Sequence, residues 1–422
     1  MSFQVKRWWP AVVSATALLV AGCGGGSSSS SHSGSSASQS SSGASQSSSS
    51  AKGPISIGAL TSITGTFAPW GLELRDGMQF AVNQINSAGG VNGRKLQLVV
   101  ADDTSQPAAG ITAFNRLTEQ DHVVAAGGVI DSDVGVATAP VAERAHIPFF
   151  MEKAGAGNIL TTNSRYTFRT CLPAAPEVAA AYVEYAHSRG LTRVGAIDAD
   201  YAWGQSIGSG IQTAAAGISG LKTKVEVAPV TATNFSSYLR ALSSFNPQII
   251  MATGHPPGTP PIIVQSGALG LTAPVTGPDF PSSLIAKAVG KPAYGRYIDF
   301  KCMDVNSPGY QNLAQQFLKA YPQDHFFEDD ALSGYAIVNL VADAVRKVGA
   351  DPVKIAAYLH GNSFNIPGYA YPLKWTSWGE LSDATVAIDL LTTGPAPAGL
   401  NTGGTWYLKQ LYVTKPLTPY TP

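Results

Sequence analysis

The chain has 422 residues, and its 27 basic and 27 acidic side chains give a formal net charge of zero at pH 7. This balance gives no sign of the basic surface that marks nucleic-acid-binding proteins. Only 13% of the residues are charged, whereas Gly (44) and Pro (28) are abundant. The composition favours a loop-rich α/β protein over a helical bundle or a coiled coil.

Residues 1–23 have the pattern of an export signal. Two basic residues precede an apolar stretch over residues 8–20, which is shorter than the roughly 20 apolar residues that span a bilayer. Residues 19–23, Leu-Val-Ala-Gly-Cys, resemble a bacterial lipobox, in which the Cys is diacylated and the chain is cut before it. An ordinary secretory signal that precedes a Cys by chance is the alternative. We expect a mature chain that begins at a lipid-modified Cys23.

Residues 24–53 are almost entirely Ser, Gly, Ala and Gln. Because the segment has so little apolar surface to bury, we expect a flexible tether with a reach of about 30 Å; filler without a role is the alternative. Residues 54–422 are too long for one small domain and predict two compact units. None of their apolar runs approaches the length of a membrane span.

Strand-like and helix-like apolar patterns alternate over the first part of this region. The predicted strands are 55–59, 95–101, 123–126 and 148–151, and the predicted helices are 71–87, 111–120 and 134–146. This βαβαβα order predicts a parallel sheet covered on both faces. Ligands of such sheets lie at the carboxyl ends of the strands.

A second series begins after residue 170. Its predicted helices are 177–189, 203–216, 235–243, 261–268 and the long helix 333–348, and its strands are 193–197, 224–227, 248–252 and 384–391. The repetition suggests two similar lobes joined by more than one crossing of the chain. Candidate crossings are residues 166–172, 297–305 and 365–371.

Several short motifs follow one another in collinear order over nearly all of residues 54–380. Gly pairs within residues 86–94 suit a helix end and the turn into the next strand, because Gly adopts positive φ at little cost. The motifs are Ile57-Gly58-Ala59-Leu60, Thr64-Gly65, Trp70-Gly71, Asn86 with Gly89-Gly90-Val91-Asn92-Gly93-Arg94, Asp102-Asp103, Ala139-Pro140-Val141-Ala142-Glu143, Ile147-Pro148, Phe168-Arg169, Trp203-Gly204, Asn234-Phe235-Ser236 and Gly277-Pro278-Asp279. In this order they resemble the type I periplasmic binding proteins of branched-chain amino acid transport, a family that also includes amide sensors.

The resemblance implies an α/β fold of two Rossmann-like lobes joined by a three-crossing hinge. Lobe 1 is expected to comprise residues 54–170 plus 303–368, and lobe 2 residues 171–302 plus 369–422. The ligand is then expected between the lobes, where free N–H groups at helix starts favour an anionic group.

The resemblance also assigns contact residues on both lobes. Trp70 lies in the first loop, where the family packs an aromatic ring on the ligand; a core tryptophan is the alternative. Trp203 replaces the family's usual Tyr before Gly204, and its ring would close over the ligand from lobe 2. Ser132 falls where a hydroxyl at a helix start holds the ligand carboxylate. A plain N-cap is the alternative there, since Ser also favours that position.

Asp279 occupies the acidic position of the family's Gly-Pro-Glu pattern, which faces the ligand ammonium, and a turn residue is the alternative. His255 follows a predicted strand at another contact loop, where a satisfied loop histidine is the alternative. Gly155 stands where the family has a hydroxyl, so the clamp for an amino acid is incomplete. Glu152 and Lys153 add charges whose direction the sequence does not give.

Some motifs suggest chemistry that their context does not support. Residues 204–208 match the G-x-S-x-G nucleophile elbow, but that elbow needs its Ser directly after a strand, whereas Ser206 is predicted inside a helix. The seven His show no metal-binding spacing. Neither a P-loop nor a dinucleotide motif after a strand occurs. We therefore expect no enzyme activity, no metal and no cofactor.

These features together favour a solute-binding receptor that delivers a small polar ligand, such as an amino acid or amide, to an ABC importer. The permease and ATPase subunits are the expected partners, and a tether keeps the receptor concentrated beside them. A ligand-sensing lipoprotein acting on a membrane signalling partner is the alternative. We expect a monomer held by its lipid on the extracytoplasmic face of the cell membrane.

Cys171 and Cys302 are the two thiols that remain once Cys23 is acylated. An exported chain lies in an oxidising compartment, so we expect the pair to be bridged. They fall in the first and second predicted crossings, which run side by side in this fold. Two separate buried thiols are the alternative.

Overall fold

The computed structural model describes residues 53–253, 258–278, 280–396 and 404–422. The predicted signal peptide, Cys23, all but the last residue of the predicted tether, His255 and Asp279 lie outside the described residues. Within the described part of the chain, no helix is both long enough and apolar enough to cross a membrane.

The first part of the chain alternates strands and helices, as predicted. Its elements are β1 (Ile55–Thr61), α1 (Ala68–Ser87), β2 (Leu96–Asp102), α2 (Pro107–Glu119), β3 (Ala126–Val129), α3 (Ser132–Ala145), β4 (Phe149–Met151) and β5 (Thr167–Arg169). The five strands form one parallel sheet in the order β2-β1-β3-β4-β5. The strand predicted at residues 123–126 overlaps β3 at one residue only, because the two glycines of β3 hide its apolar pattern.

The second part of the chain forms a larger mixed sheet. Its elements are α4 (Ala175–Ser188), β6 (Arg193–Ala199), α5 (Ala202–Ala216), β7 (Lys222–Ala228), α6 (Ser236–Phe245), β8 (Ile249–Ala252), α7 (Thr259–Ala268), β9 (Val275–Thr276), α8 (Ser282–Ala288), β10 (Tyr297–Lys301), α9 (Pro308–Ala320), α10 (Asp329–Val348), α11 (Pro352–His360), β11 (Ala387–Thr393) and β12 (Trp406–Val413). The sheet order is β12-β11-β10-β9-β8-β6-β7, in which β11 runs antiparallel to both of its neighbours. We call the first sheet with the helices that pack on it lobe 1, and the second sheet with the helices that pack on it lobe 2.

Helix α10 follows the strands of lobe 2 in sequence but packs on α1 of lobe 1. Two glycines permit the close approach of the two helices. A Cβ atom at Gly77 would lie 2.0 Å from the carbonyl oxygen of Ala331, and one at Gly334 would lie 2.3 Å from that of Leu74. Real Cβ atoms do not come this close, so α1 and α10 need glycine at both positions. The α9–α11 segment therefore belongs to lobe 1.

The chain passes between the lobes after β5, after β10 and again before β11. The predicted crossing at residues 297–305 is wrong in its first part, because residues 297–301 are β10, a buried inner strand of the second sheet. Crossing segments lie side by side: Met303 pairs with Tyr369 in an antiparallel bridge, and Ala370 N–H donates to the carbonyl of Cys302 at 2.9 Å.

The first two crossings are joined by a disulfide in the structure. The Cys171 and Cys302 sulfurs are bonded, and the two Cα atoms are 5.3 Å apart. Both residues are fully buried. The Tyr371 hydroxyl donates to the Cys171 carbonyl, so the third crossing packs on the same point.

We expect the Cys171→Ala, Cys302→Ala double variant to lose about 5 kcal/mol in free energy of unfolding on the chain-entropy account, because the bond closes a loop of 131 residues. Urea unfolding of the variant beside the oxidised parent measures this loss. Mass spectrometry of the unalkylated parent is the companion test, and two free thiols at these positions would overturn the pairing.

Candidate functional site

The loops that follow five strands of the two lobes converge on one cleft. In lobe 1 they follow β1, β3 and β4, and in lobe 2 they follow β6 and β9. All five strands are parallel members of their sheets. Parallel strands direct their carboxyl ends to one edge, which is where α/β proteins form ligand sites. The topology therefore brings together residues that are distant in sequence.

Aromatic rings from both lobes fill most of this cleft. A small cavity of about 20 Å³ remains, and its lining residues are Phe67, Trp70, Ile130, Lys153, Tyr201, Trp203 and Pro278. Trp70 and Trp203 are 1% and 5% exposed. The structure thus brings Trp70 and Trp203 to one cavity, and a solute larger than a water molecule needs the rings to separate.

Ring contacts cross directly from one lobe to the other. The Trp70 ring meets Phe280 of lobe 2 edge-on, with ring centroids 5.2 Å apart. Phe67 contacts Trp70 within lobe 1 at 5.7 Å and Tyr201 of lobe 2 at 6.1 Å. Pairs of this kind contribute about 0.5–1.5 kcal/mol each beyond the area they bury.

Ser132 fixes the loop that carries Gly155. Ser132 is the first residue of α3, and its hydroxyl accepts hydrogen bonds from the N–H groups of Gly155 at 3.1 Å and Ala156 at 3.2 Å. The N-cap is Asp131, whose carboxylate accepts from Asp133 N–H. The alternative in which Ser132 caps the helix is therefore wrong. Arg169, to which the sequence analysis assigns no site role, holds the same loop by donating to the carbonyls of Ala154 and Ala156.

Gly155 makes room for the ring of Trp203. A Cβ atom at Gly155 would lie 2.1 Å from Cζ3 of Trp203. The family resemblance implies a missing hydroxyl at this position, and the structure places the indole of lobe 2 against the bare backbone. Any side chain at residue 155 would collide with this indole, so the packing of Trp203 requires glycine there.

A buried group of charged residues lies beside the cleft, and we call it the lobe-junction cluster. Its members are Lys153, Asp299, Lys301, Glu328, Asp329 and Asp330, none more than 8% exposed. Lys153 Nζ is 3.1 Å from Asp329 Oδ2 and 3.5 Å from Asp330 Oδ2. The direction of the Lys153 charge, which the sequence left open, is therefore toward the start of α10.

Lys301 joins the same cluster from lobe 2. Its Nζ is 2.7 Å from Asp329 Oδ1, 3.2 Å from Asp299 Oδ2 and 3.4 Å from Glu328 Oε2. The sequence signal for this cluster was the run Glu328-Asp329-Asp330 directly before an apolar helix. Acidic residues also favour the first turn of an ordinary helix, so this run alone does not indicate a buried cluster.

The lobe-junction cluster contains four carboxyl groups and two lysines, so its acids are in excess. Burial raises the pKa of Asp330 to about 8, against the attraction of Lys153. Burial likewise raises the pKa of Asp299 to about 7, against the attraction of Lys301. Desolvation favours the neutral form of an acid, so the cluster retains protons near neutral pH.

Two other features lack the context that catalysis or metal binding requires. Ser206 lies inside α5, as predicted, and its hydroxyl accepts from Gly157 N–H at 3.3 Å. Cys171, Cys302 and Asp329 are close enough to share a metal ion, but both sulfurs are in the disulfide. A metal is bound by thiolates rather than by a disulfide.

Comparison with known proteins gives one family match. Residues 54–379 match the family described as periplasmic binding protein. A Leu/Ile/Val-binding protein homolog of Brucella suis is 27% identical over 311 residues, which cover 72% of this chain and 81% of that protein. The leucine-, isoleucine-, valine-, threonine- and alanine-binding protein of Pseudomonas aeruginosa is 26% identical over 322 residues, with 75% and 85% covered.

Solved structures share the fold at lower identity. A solute-binding protein of an ABC transporter from R. palustris, in complex with benzoate, superimposes with a TM-score of 0.73 at 22% identity and covers 87% of this chain and 98% of its own. A leucine-binding protein of Thermotoga maritima gives a TM-score of 0.73 at 20% identity, with 86% and 99% covered.

We expect the raised pKa of Asp330 to make the protein less stable as the pH rises. The unfolded chain releases this proton near pH 4, whereas the folded protein holds it to about pH 8. The stabilisation is therefore complete below about pH 4 and is lost as the pH rises through about 8. The Asp330→Asn variant cannot ionise at this position. The decrease in its free energy of unfolding between about pH 5 and pH 8 should therefore be about 1–3 kcal/mol smaller than the decrease in the parent.

Urea unfolding at several pH values measures this difference. Lys153 keeps Asp329 as a partner in the variant, so the substitution does not leave a buried lysine unpaired. Asp383→Asn is the matched control, because Asp383 is exposed and its positive φ of 59° suits Asn. Parallel pH curves for Asp330→Asn and the parent would contradict the prediction.

Proposed function

Because the chain belongs to the periplasmic binding protein family and is an extracytoplasmic solute-binding receptor of the ABC-transporter type, we propose that it captures its ligand between Trp70 and Trp203. The observation that carries this proposal is that loops from both lobes contribute rings to one small cavity. Separation of the lobes would open that cavity to solvent, and their closure would place one indole from each lobe on the ligand. The family and the fold are those of non-enzymatic proteins.

Ser132 and Gly155 complete the proposed site on the lobe 1 side. The Ser132 hydroxyl accepts two backbone N–H groups and keeps its own proton as a donor, which suits a ligand carboxylate. His255 and Asp279 remain proposed contacts from lobe 2, outside the described residues. An acidic side chain at 279 would pair with an ammonium or amide group of the ligand.

The ligand class we propose is a small polar molecule, such as an amino acid or an amide. Relatives named for leucine, isoleucine and valine support a small carboxylate-bearing ligand, and the R. palustris protein was solved with benzoate. Lys153 lines the cavity, although its ammonium pairs with acids of α10. Its aliphatic stem therefore supplies the cavity wall.

The receptor works outside the cytoplasm with a permease partner. We further propose that Cys23 carries a lipid anchor, that residues 24–53 tether the folded region to the membrane, and that the protein is a monomer. Tethering would hold the receptor at a high local concentration beside its permease. The alternative, a lipoprotein that reports ligand to a membrane signalling partner, would use the same cleft.

We expect a thermal-shift screen of amino acids, amides, urea and small aromatic acids to find a ligand that raises the unfolding temperature, since binding to the native state alone stabilises it. That ligand should change the tryptophan fluorescence of the parent, and the change should be smaller in Trp203→Phe. Trp378→Phe is the control, because Trp378 does not line the cavity. An equal change in Trp203→Phe and the parent would remove Trp203 from the site.

A further inference from the structure

A second cavity lies between the lobes, and it is far larger than the one in the cleft. It has a volume of about 610 Å³, within the range of small-molecule sites. Lobe 1 contributes α1 and the loop before α10, and lobe 2 contributes α8, Tyr294 and the start of β12. We call it the α1/α8 groove. Glu73, its residue on α1, lies one helical turn beyond Trp70, which lines the cleft.

One wall of the α1/α8 groove is aromatic. Phe326 of lobe 1 and Trp406 of lobe 2 face each other with ring centroids 5.3 Å apart, and Tyr294 adds a third ring to the lining. Such a wall favours an apolar or aromatic body, and its ring faces also attract cations.

The lining also includes a carboxyl group whose hydrogen bonding is incomplete. Glu73 Oε2 is shielded from solvent and has no hydrogen-bond partner among the described residues. Burial and the nearby acids Glu328, Asp330 and Asp324 raise the pKa of Glu73 well above its usual range, against the attraction of Lys301. A carboxyl group with a shielded, unpaired oxygen is stabilised by a donor that carries a positive charge.

The remaining charges of the α1/α8 groove do not neutralise Glu73. Asp324 adds a second carboxyl to the lining, and burial together with Asp76 raises its pKa to about 6. Lys287 also lines the groove but is exposed, so its charge is solvated. Lys301, the buried cation nearby, is already shared among three carboxylates of the lobe-junction cluster. His325 also lines the groove and attracts the Asp324 carboxyl, which leaves Glu73 as the acidic group of the described lining without a lining cation beside it.

We propose that the α1/α8 groove binds a small organic cation, a primary ammonium on a compact aromatic or apolar body. The ammonium would donate to Glu73 and be attracted by Asp324, and the body would pack on Phe326 and Trp406. Both lobes contribute walls to the groove. A bound cation would therefore stabilise the present arrangement of the lobes over arrangements in which these walls are apart. The groove shares no lining residue with the cavity of the cleft.

Three probes of similar size and different charge test the proposal by isothermal titration calorimetry. Phenethylammonium is the cation, 2-phenylethanol the neutral analogue and 3-phenylpropionate the anion. We expect phenethylammonium to bind the full chain and the other two to bind at least about tenfold more weakly. Equal binding of the neutral or anionic probe, or no binding of the cation up to about 1 mM, would overturn the proposal.

Variants locate the binding in the groove. Glu73→Gln keeps the shape of the side chain and should weaken phenethylammonium at least about tenfold, since a hydrogen bond to a charged group contributes about 1.5–3 kcal/mol, more than a tenfold change in the dissociation constant. Glu119→Gln, at an exposed position on α2, is the matched control and should bind as the parent does. Unchanged affinity in Glu73→Gln would overturn the proposal.

A steric variant separates the groove from the cleft. Ala286 lines the groove from α8, and Ala286→Trp should narrow it and weaken phenethylammonium binding without altering a charge. Parental affinity in a folded Ala286→Trp protein would place the cation elsewhere and overturn the proposal. If a cleft ligand from the thermal-shift screen still binds Ala286→Trp, the receptor function stands whether or not the groove binds a cation.

Discussion

Asp329, the first residue of α10, lies between two buried lysines that come from different lobes. One carboxylate oxygen is 3.1 Å from Lys153 and the other is 2.7 Å from Lys301. Buried charges are tolerated only when they are paired, and removing one partner of such a pair costs about 3–5 kcal/mol. The position of α10 is therefore fixed relative to β10 and the loop after β4. Since α10 also packs on α1, this arrangement fixes the helix that carries Trp70 and Glu73.

The same contacts determine which parts of the molecule are free to move. Lys301 ends β10 directly before the crossing that contains Cys302, and the disulfide joins that crossing to the first one. When the lobes rotate about the crossings, the atoms nearest to the crossings move least. The lobe-junction cluster, in which Lys301 directly precedes Cys302, can thus stay paired while the lobes rotate. The lobe-junction cluster tolerates more carboxyl groups than lysines because a carboxyl group that has no lysine partner can be protonated, which removes its charge.

The sequence predicted the parallel first sheet, α1 and α10 well, because their apolar residues follow strand and helix periods over long segments. It failed where a strand is short or rich in glycine, as in β3, and where a buried strand adjoins a crossing, as in β10. It did not predict the role of Gly155, since the space that glycine leaves is filled by Trp203, 48 positions later in the chain. Nor did it predict the partners of Lys153 and Lys301, because pairing between lobes depends on the packing of α10 and leaves no local pattern.

The narrow cleft, as the proposed ligand site, also limits which ligands the protein can hold. About 20 Å³ remains between the rings, so a solute must displace ring contacts such as that of Trp70 with Phe280 before its own contacts add stability. Each displaced pair costs about 0.5–1.5 kcal/mol, and a ligand recovers this cost only if it contacts both lobes at once. The distance between the rings therefore determines how large a ligand the cleft can hold. Gly155 contributes to that separation, because a side chain there would collide with Trp203 and displace its ring from the backbone of lobe 1.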